Sequence, residues 1–235
     1  MATISQWSSL GFALVNTGEV YAAGIVFPAI CTTFAALRLY TRSQQKAQIG
    51  LDDWLILAAL VNVLGMGICF ITGAAMGVMG PATPLPISQE GEMSYLHSFE
   101  LVAKIEFAFQ VFLALASGCV KLSVVSFSRR VFLVHKPSRF GYVTTAVAAL
   151  ILAWTTAFFF TLIFTCGTHV DAHWGTEQQT AAECGNPIAP EEAFVVSSFL
   201  TDLITLLLPF PMVWRLKMSL SKKLQVTGIF LVGLL

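Results

Sequence analysis

The sequence predicts an all-α protein, a multi-pass bundle of transmembrane helices with five full spans and a partial sixth. Two observations carry this prediction. Hydrophobic residues make up 56% of the 235 residues and charged residues only 11%, whereas soluble domains usually carry about 25% charged residues. Several apolar runs also reach the roughly 20 residues that a helix needs to cross the hydrocarbon layer of a bilayer.

Five apolar segments are long enough to span a bilayer, and they lack the alternation of apolar and polar residues that is typical of barrel strands. The spans are placed at approximately 19–40, 53–75, 99–128, 140–165 and 193–214. A further run at 224–235 would be only about 18 Å long as a helix, so we expect a domain that is truncated in its sixth helix. Residues 1–18 form the N-terminal tail, and residues 19–235 form the transmembrane domain.

Basic residues are concentrated in alternate loops, and this sets the predicted orientation. Most of the 13 lysines and arginines follow the first, third and fifth spans: Arg38, Arg42, Lys46, Arg129, Arg130, Lys136, Arg139, Arg215, Lys217, Lys222 and Lys223. By the positive-inside rule these loops are cytoplasmic, and the N-terminus is extracellular. We expect a plasma-membrane protein whose main partner is the lipid bilayer. The net charge of zero gives no indication of nucleic-acid binding.

Asp52 and Asp53 lie at the predicted cytoplasmic start of the second span. In one interpretation they only cap the helix, because a carboxylate satisfies an unpaired N–H group and the helix dipole favours negative charge there. In another, one of them also pairs with Arg129 or Arg130 at the end of the third span, in a contact that could break on activation. These four residues are the candidate cytoplasmic switch.

Charged residues inside or near the spans are the candidate ligand-binding residues, because such charges are costly in lipid. Glu100 and Lys104, spaced i and i+4, are either a solvated extension of the third helix or the rim of an outer ligand site. Lys121 lies deeper, and either snorkels to the inner interface or joins an ion pair. Asp202, near mid-membrane in the fifth span, is expected to face the bundle and to pair with Lys121 or with a polar side chain such as Asn62.

Cys166 and Cys184 flank the outer loop that follows the fourth span, in a compartment that is predicted to be oxidising. We expect a disulfide between them, which would hold the loop over the mouth of the bundle and contribute about 3 kcal/mol. His169, Asp171 and His173 in the same loop could bind zinc, but only weak ligands remain once both cysteines are bridged. Neither a metal nor a cofactor is therefore predicted.

Four stretches resemble the fungal rhodopsin-domain family. RLYTRSQQKAQIGLDDWLILAAL resembles the first-loop signature, KLSVVSFSRRVF the cytoplasmic end of the third helix, and CGTHVDAHW, followed by Cys184, the second outer loop. The segment from Thr201 to the end of the sequence resembles the fifth helix and the start of the sixth. The resemblance runs from about residue 37 and implies a seven-helix membrane protein of a kind that includes candidate G-protein-coupled receptors. The segment GAAMGVMGPATP departs from the family, because it lacks the glycine-histidine feature expected after the second helix.

The motifs of common enzyme classes are absent from the sequence: it contains no GxSxG, no HExxH and no phosphate-binding loop. We therefore do not expect an enzyme. The resemblance implies a receptor-like protein that senses an extracellular or membrane-borne ligand, of unknown identity, and acts on a cytoplasmic signalling protein. Two alternatives stay open: a transporter or channel that uses Lys121 and Asp202 as an ion relay, and a truncated product without function.

Overall fold

The computed structural model describes residues 16–44, 48–79, 89–132, 139–175, 180, 184 and 188–208. Within these residues the regular elements are five α-helices and one short 3₁₀ helix, and no strand occurs. The elements are α1 (Thr17–Gln44), α2 (Leu51–Ala75), α3 (Gln89–Phe132), α4 (Arg139–Ile163), the 3₁₀ helix (Val170–Trp174) and α5 (Ile188–Leu207). The predicted all-α fold class is confirmed.

Four of the helices are long and apolar enough to cross a membrane. They are Thr17–Gln44, Leu51–Ala75, Leu96–Arg130 and Phe140–Ile163. Their large apolar side chains point outward, as Phe27 and Phe34 on α1 do. Such surfaces are costly in water but suit hydrocarbon, so the chain is a multi-pass membrane protein in contact with lipid. The fifth helix is not among the four, and its described residues carry Glu191, Glu192 and Asp202.

The predicted spans correspond to α1 to α5, and the largest difference concerns α3. This helix has 44 residues, whereas the sequence predicted a span at 99–128. Hydropathy detects only the apolar part of a helix, so the polar first turns from Gln89 onward were missed. The N-terminal tail up to residue 15, the end of the fifth span, the partial sixth span and six predicted loop cations lie outside the described residues: Lys46, Lys136, Arg215, Lys217, Lys222 and Lys223.

The third helix is central to the packing. It contacts α2, α4, α5 and the 3₁₀ helix, while α1 packs against α2. The α1–α2 crossing is very close: a Cβ atom on Gly67 would lie 2.8 Å from the carbonyl oxygen of Gly24 and 2.7 Å from Cγ of Pro28. A residue without a side chain is required there, as is common where membrane helices meet.

Aromatic packing fixes α5 against α4. The ring of Trp154 lies 5.2 Å from that of Phe158 and 5.3 Å from that of Phe194. Its indole Nε1–H donates a hydrogen bond to Oγ of Ser197 at 2.9 Å. These contacts set the rotation of α5 about its axis, and therefore the direction in which Ser198 and Asp202 point.

The two ends of the bundle differ in chemistry. We call the end that contains Arg38, Asp52 and Arg130 the basic end, and the end that contains Cys166 and Cys184 the loop end. The basic end is the one that the sequence predicts to be cytoplasmic.

Candidate functional site

Five charged side chains meet at the basic end, and we call them the arginine–aspartate cluster: Arg38, Arg42, Asp52, Asp53 and Arg130. Both aspartates are buried, with only 2% and 0% of their surface exposed. Arg38 contacts Asp52 at 2.9 Å and Asp53 at 3.4 Å. Arg42 contacts Asp53 at 2.9 Å and also contacts Asp52. Arg130 lies 3.4 Å from Asp52 and 3.9 Å from Asp53. The cluster therefore joins α1, α2 and α3.

The start of α2 has the local geometry that this cluster needs. Gly50 occupies the N-cap position, and its N–H group donates to the carboxylate of Asp53 at 3.1 Å. Asp53 therefore stabilises the helix start from the third helical position, rather than from the N-cap itself. A Cβ atom on Gly50 would lie 2.4 Å from Oδ1 of Asp52 and 2.7 Å from Nη1 of Arg130. Only glycine lets the Arg130 guanidinium pass so close to the backbone.

Residues of α3 also support the cluster. Ser123 donates a hydrogen bond to the carbonyl oxygen of Asp52 at 2.8 Å. The guanidinium groups of Arg38 and Arg42 lie 5.3 and 5.9 Å from the centre of the Phe127 ring, which is within the range of a cation–π interaction. The cluster is thus held by α3 through charge, hydrogen bonding and an aromatic face.

The sequence predicted part of this arrangement. The expected contact of an aspartate with Arg130 is present, whereas Arg129 is exposed and joins no ion pair within the described part of the chain. Arg38 and Arg42 were not predicted to take part. Their spacing of four residues, which places both on one face of a helix, is the signal that could have identified them.

A second polar centre lies between α3, α4 and α5. The side chain of Lys121 is 3% exposed, and its Nζ lies 3.5 Å from Oδ1 of Asp202. Nζ also donates to the hydroxyl of Ser198 at 2.7 Å and to its carbonyl oxygen at 3.2 Å, and it lies 4.3 Å from the centre of the Trp154 ring. Lys121 therefore points into the bundle and does not snorkel to the interface.

The structure thus brings Lys121 and Asp202 together, as predicted. Asn62 instead donates a hydrogen bond to Ala58 in its own helix at 2.8 Å. Asp202 faces the bundle only in part, because 52% of its side chain is exposed within the described residues. The more deeply buried partner of this pair is the cation, which has four groups around it.

The loop end is covered by the segment that follows α4. Cys166 and Cys184 form a disulfide, as predicted, and both are buried together with Ala172 of the 3₁₀ helix. In addition, the hydroxyl of Thr180 donates to the carbonyl oxygen of Ala172 at 2.9 Å. The disulfide therefore holds Cys184 beside the 3₁₀ helix.

The 3₁₀ helix lies against α3. The rings of His173 and Trp174 lie 5.0 and 5.9 Å from that of Phe107, and Lys104 Nζ lies 5.7 Å from the centre of the Trp174 ring. Lys104 also pairs with Glu100 at 2.6 Å, and both side chains are largely exposed. The two residues predicted as a ligand rim are therefore at the mouth of the bundle, where Lys104 helps to hold the loop.

Two apolar cavities share Glu106, which lies next to Phe107 in the sequence and was not among the candidate site residues. One has a volume of about 200 Å³ and lies between α3, α4 and α5, where Gln110 donates to Glu191 at 2.5 Å. The other, of about 320 Å³, lies between α2 and α3 and is lined by Phe70 and Met79. Each combines apolar walls with a carboxylate, which suits a small amphipathic ligand.

Within the residues that the structure describes, no group of three or more histidine, cysteine, aspartate and glutamate side chains could hold a metal ion. His173 instead has each ring nitrogen 3.2 Å from a carbonyl oxygen, those of Val170 and Leu162. Cys166 and Cys184 are bonded to each other in the disulfide, so neither has a free thiolate to bind a metal. His173 and the two cysteines therefore serve the packing of the loop, whereas His169 and Asp171 are exposed.

Comparison with known proteins decides the family. The sequence model of the Fungal rhodopsin domain matches residues 37–235. The chain belongs to the Fungal rhodopsin domain family. This confirms the resemblance seen in the sequence, and the matched region begins one residue before Arg38 and includes the whole arginine–aspartate cluster.

Curated relatives of this family member are fungal. Polyenoic acids biosynthesis gene cluster protein Ba17b of Metarhizium anisopliae is 33% identical over 227 residues, which cover 92% of this chain and 56% of the relative. Phomoidride biosynthesis cluster protein H of Fungal sp. (strain ATCC 74256) is 27% identical over 62% of this chain and 58% of its own. A SAT4 family membrane protein of Emericella nidulans is 33% identical over 56% of this chain and 34% of its own.

The chain spans about half the length of the first two of these relatives and a third of the other. No solved structure matches the chain.

Proposed function

We propose that this chain has a receptor-like role: it senses a ligand at the loop end and transmits binding to the basic end by opening the arginine–aspartate cluster. The observation that carries the proposal is the cluster itself, which joins three helices at one end of the bundle through exchangeable ion pairs. A small change at one site becomes a larger change elsewhere when it biases an element with two discrete arrangements. In the proposed mechanism the arginine–aspartate cluster is this element, closed as in the structure without ligand and open with ligand bound.

The central helix connects the two ends. Glu106 lines both loop-end cavities, and Arg130 lies 24 residues further along the same helix, about 36 Å away. A ligand that tilts or rotates α3 at Glu106 therefore displaces Arg130 relative to Asp52. We propose that the basic end is cytoplasmic, that the N-terminus is extracellular in the plasma membrane, and that a cytoplasmic signalling protein recognises the opened basic end.

The proposed ligand is a lipophilic small molecule. Two relatives are named for gene clusters that make small molecules, polyenoic acids and phomoidride. The loop-end cavities are apolar and of a size that suits part of such a molecule. We propose that the chain senses such a molecule and does not convert it, so that no enzymatic activity is expected.

A distance measurement at the basic end tests the receptor role. Spin labels on Ser43→Cys and Arg129→Cys, in a background without the three free cysteines, report the separation of α1 and α3 in nanodiscs. We expect a long-chain polyenoic acid to lengthen this distance, and Asp52→Asn to lengthen it without ligand. An unchanged distance under both conditions contradicts the proposal. The free cysteines to be replaced are Cys31, Cys69 and Cys119.

A transporter or channel is the second candidate function, and the buried pair of Lys121 and Asp202 favours it. Paired charges inside a membrane protein often mark a proton or ion pathway. Proton flux into proteoliposomes that is lost in Asp202→Asn would establish transport. The receptor role instead predicts no flux in either the wild type or the variant.

A further inference from the structure

We propose that a groove between α1 and α2, next to Arg38, binds one acyl chain of an anionic phospholipid from the leaflet at the basic end. In this arrangement the lipid phosphate lies against the guanidinium group of Arg38. The groove is separate from the two loop-end cavities, and the inference requires neither a ligand in those cavities nor an opening of the arginine–aspartate cluster.

The groove is apolar and opens towards lipid. It has a volume of about 250 Å³ and is lined by residues of α1, α2 and α3, which apart from Arg38 are apolar. Ala35 and Ala59 form part of its lining, and their small side chains leave the space empty. Phe34 stands beside it with 68% of its surface exposed, on the face of α1 that meets the bilayer.

The groove runs along the helices from Arg38 towards Cys31. Seven residues of helix separate these two positions, which is about 10 Å. This is the direction in which an acyl chain extends from the headgroup region to the bilayer centre. A helix with its side chains has a diameter of about 10–12 Å, so a flexible hydrocarbon chain fits the narrow groove better than a second helix does.

The charge at the end of the groove selects an anionic headgroup. Three guanidinium groups face two carboxylates in the arginine–aspartate cluster, so one positive charge is unmatched within it. The side chain of Arg38 is 30% exposed, which leaves part of its guanidinium group accessible at the groove. A phosphate can accept charge-assisted hydrogen bonds from this group and neutralise the excess charge.

Native mass spectrometry of the whole chain, equilibrated with equal amounts of phosphatidylserine and phosphatidylcholine, tests the proposal. We expect the wild type to retain one phosphatidylserine in preference to phosphatidylcholine, and to melt at a higher temperature in phosphatidylserine nanodiscs. Ala59→Leu fills the groove, whereas Ala58→Leu adds the same volume on the exposed face of α2. Ala59→Leu should weaken retention about tenfold, as expected when roughly two methylene groups lose their burial, and Ala58→Leu should not.

Cys31→Trp blocks the other end of the groove from an exposed position. It should also weaken the retention of phosphatidylserine, and it replaces Ala59→Leu as the test if that variant does not fold. Equal retention of the two phospholipids by the wild type would overturn the proposal. So would retention of phosphatidylserine that neither filling variant weakens. Preferential retention of added oleic acid would overturn the choice of a phospholipid, and a dimer abolished by the filling variants would identify the groove as an interface between two copies.

Discussion

Arg130, at the end of α3, lies 3.4 Å from the buried carboxylate of Asp52 at the start of α2. The two residues are 78 positions apart in the sequence, and their contact closes the basic end of the bundle. Arg38 and Arg42 reach the same pair of aspartates from α1. The packing of three helices at the basic end therefore depends on two carboxylates. Most of the expected effects of substitution follow from this dependence.

Asp53→Asn should destabilise the protein strongly. Asp53 is fully buried and is contacted by three arginines, and removing one partner from a buried ion pair typically costs about 3–5 kcal/mol. We expect a clear fall in the melting temperature of the detergent-solubilised protein. Asp171→Asn removes an exposed carboxylate and should leave the melting temperature unchanged; an equal effect of the two variants would contradict the role of Asp53.

Gly50→Ala should also destabilise the basic end, through steric overlap. The added methyl group would lie within 3 Å of both the Asp52 carboxylate and the Arg130 guanidinium, so at least one ion pair must move. We expect a loss of about 1–3 kcal/mol, measured by thermal or denaturant unfolding. Gly18→Ala is the matched control, since nothing lies within 4 Å of its new methyl group; this variant should be neutral or slightly more stable.

Asp202→Asn should have a smaller effect than Asp53→Asn. Lys121 keeps its hydrogen bonds to Ser198 and its contact with the Trp154 ring when the carboxylate is lost, so its charge is not left without partners. We expect a loss of about 1 kcal/mol. Lys121→Met combined with Asp202→Asn removes both charges together, and should be tolerated because neutral side chains of similar size replace a buried ion pair. A loss for Asp202→Asn as large as that for Asp53→Asn would show that Lys121 depends mainly on the carboxylate.

Removal of the disulfide should loosen the loop end without opening the basic end. Cys184→Ser leaves the 3₁₀ helix with its contacts with α3 and its local hydrogen bonds but without the covalent link beside it, and we expect a loss of about 3 kcal/mol. Hydrogen exchange should become faster in residues 170–174 and stay unchanged near Asp53. Cys31→Ser, at an exposed free cysteine, serves as the control. Faster exchange in Cys184→Ser that is confined to the basic end would contradict the prediction that the two ends respond separately.

Much of the fold follows from local sequence. The apolar runs predict α1 to α5 because lipid imposes a length and a composition on each helix independently of its neighbours. The alternation of basic loops brings Asp52 and Arg130 to the same end, and the disulfide follows from two cysteines that flank one loop. These features need no knowledge of how the helices are arranged around each other.

The parts that sequence reasoning missed depend on that arrangement. Arg38 joins the cluster because α1 crosses α2 where Gly24 meets Gly67, and no single segment encodes the crossing. Glu106 and Glu191 line one cavity because α3 and α5 become neighbours, although 85 residues separate the two positions in the sequence. Hydropathy shows how well each segment suits the hydrocarbon layer, but it contains little information about which helices contact each other.

The first two helices contact each other at two levels. The Pro28 ring packs against Gly67 near the middle of the helices, and arginines of the first helix pair with Asp52 and Asp53 at the basic end. A helix that is held to its neighbour at two separate levels cannot easily rotate about either contact alone. A displacement of the first helix by the surrounding lipid is therefore expected to carry the second helix with it, and to load the contact that Arg130 of the third helix makes with Asp52.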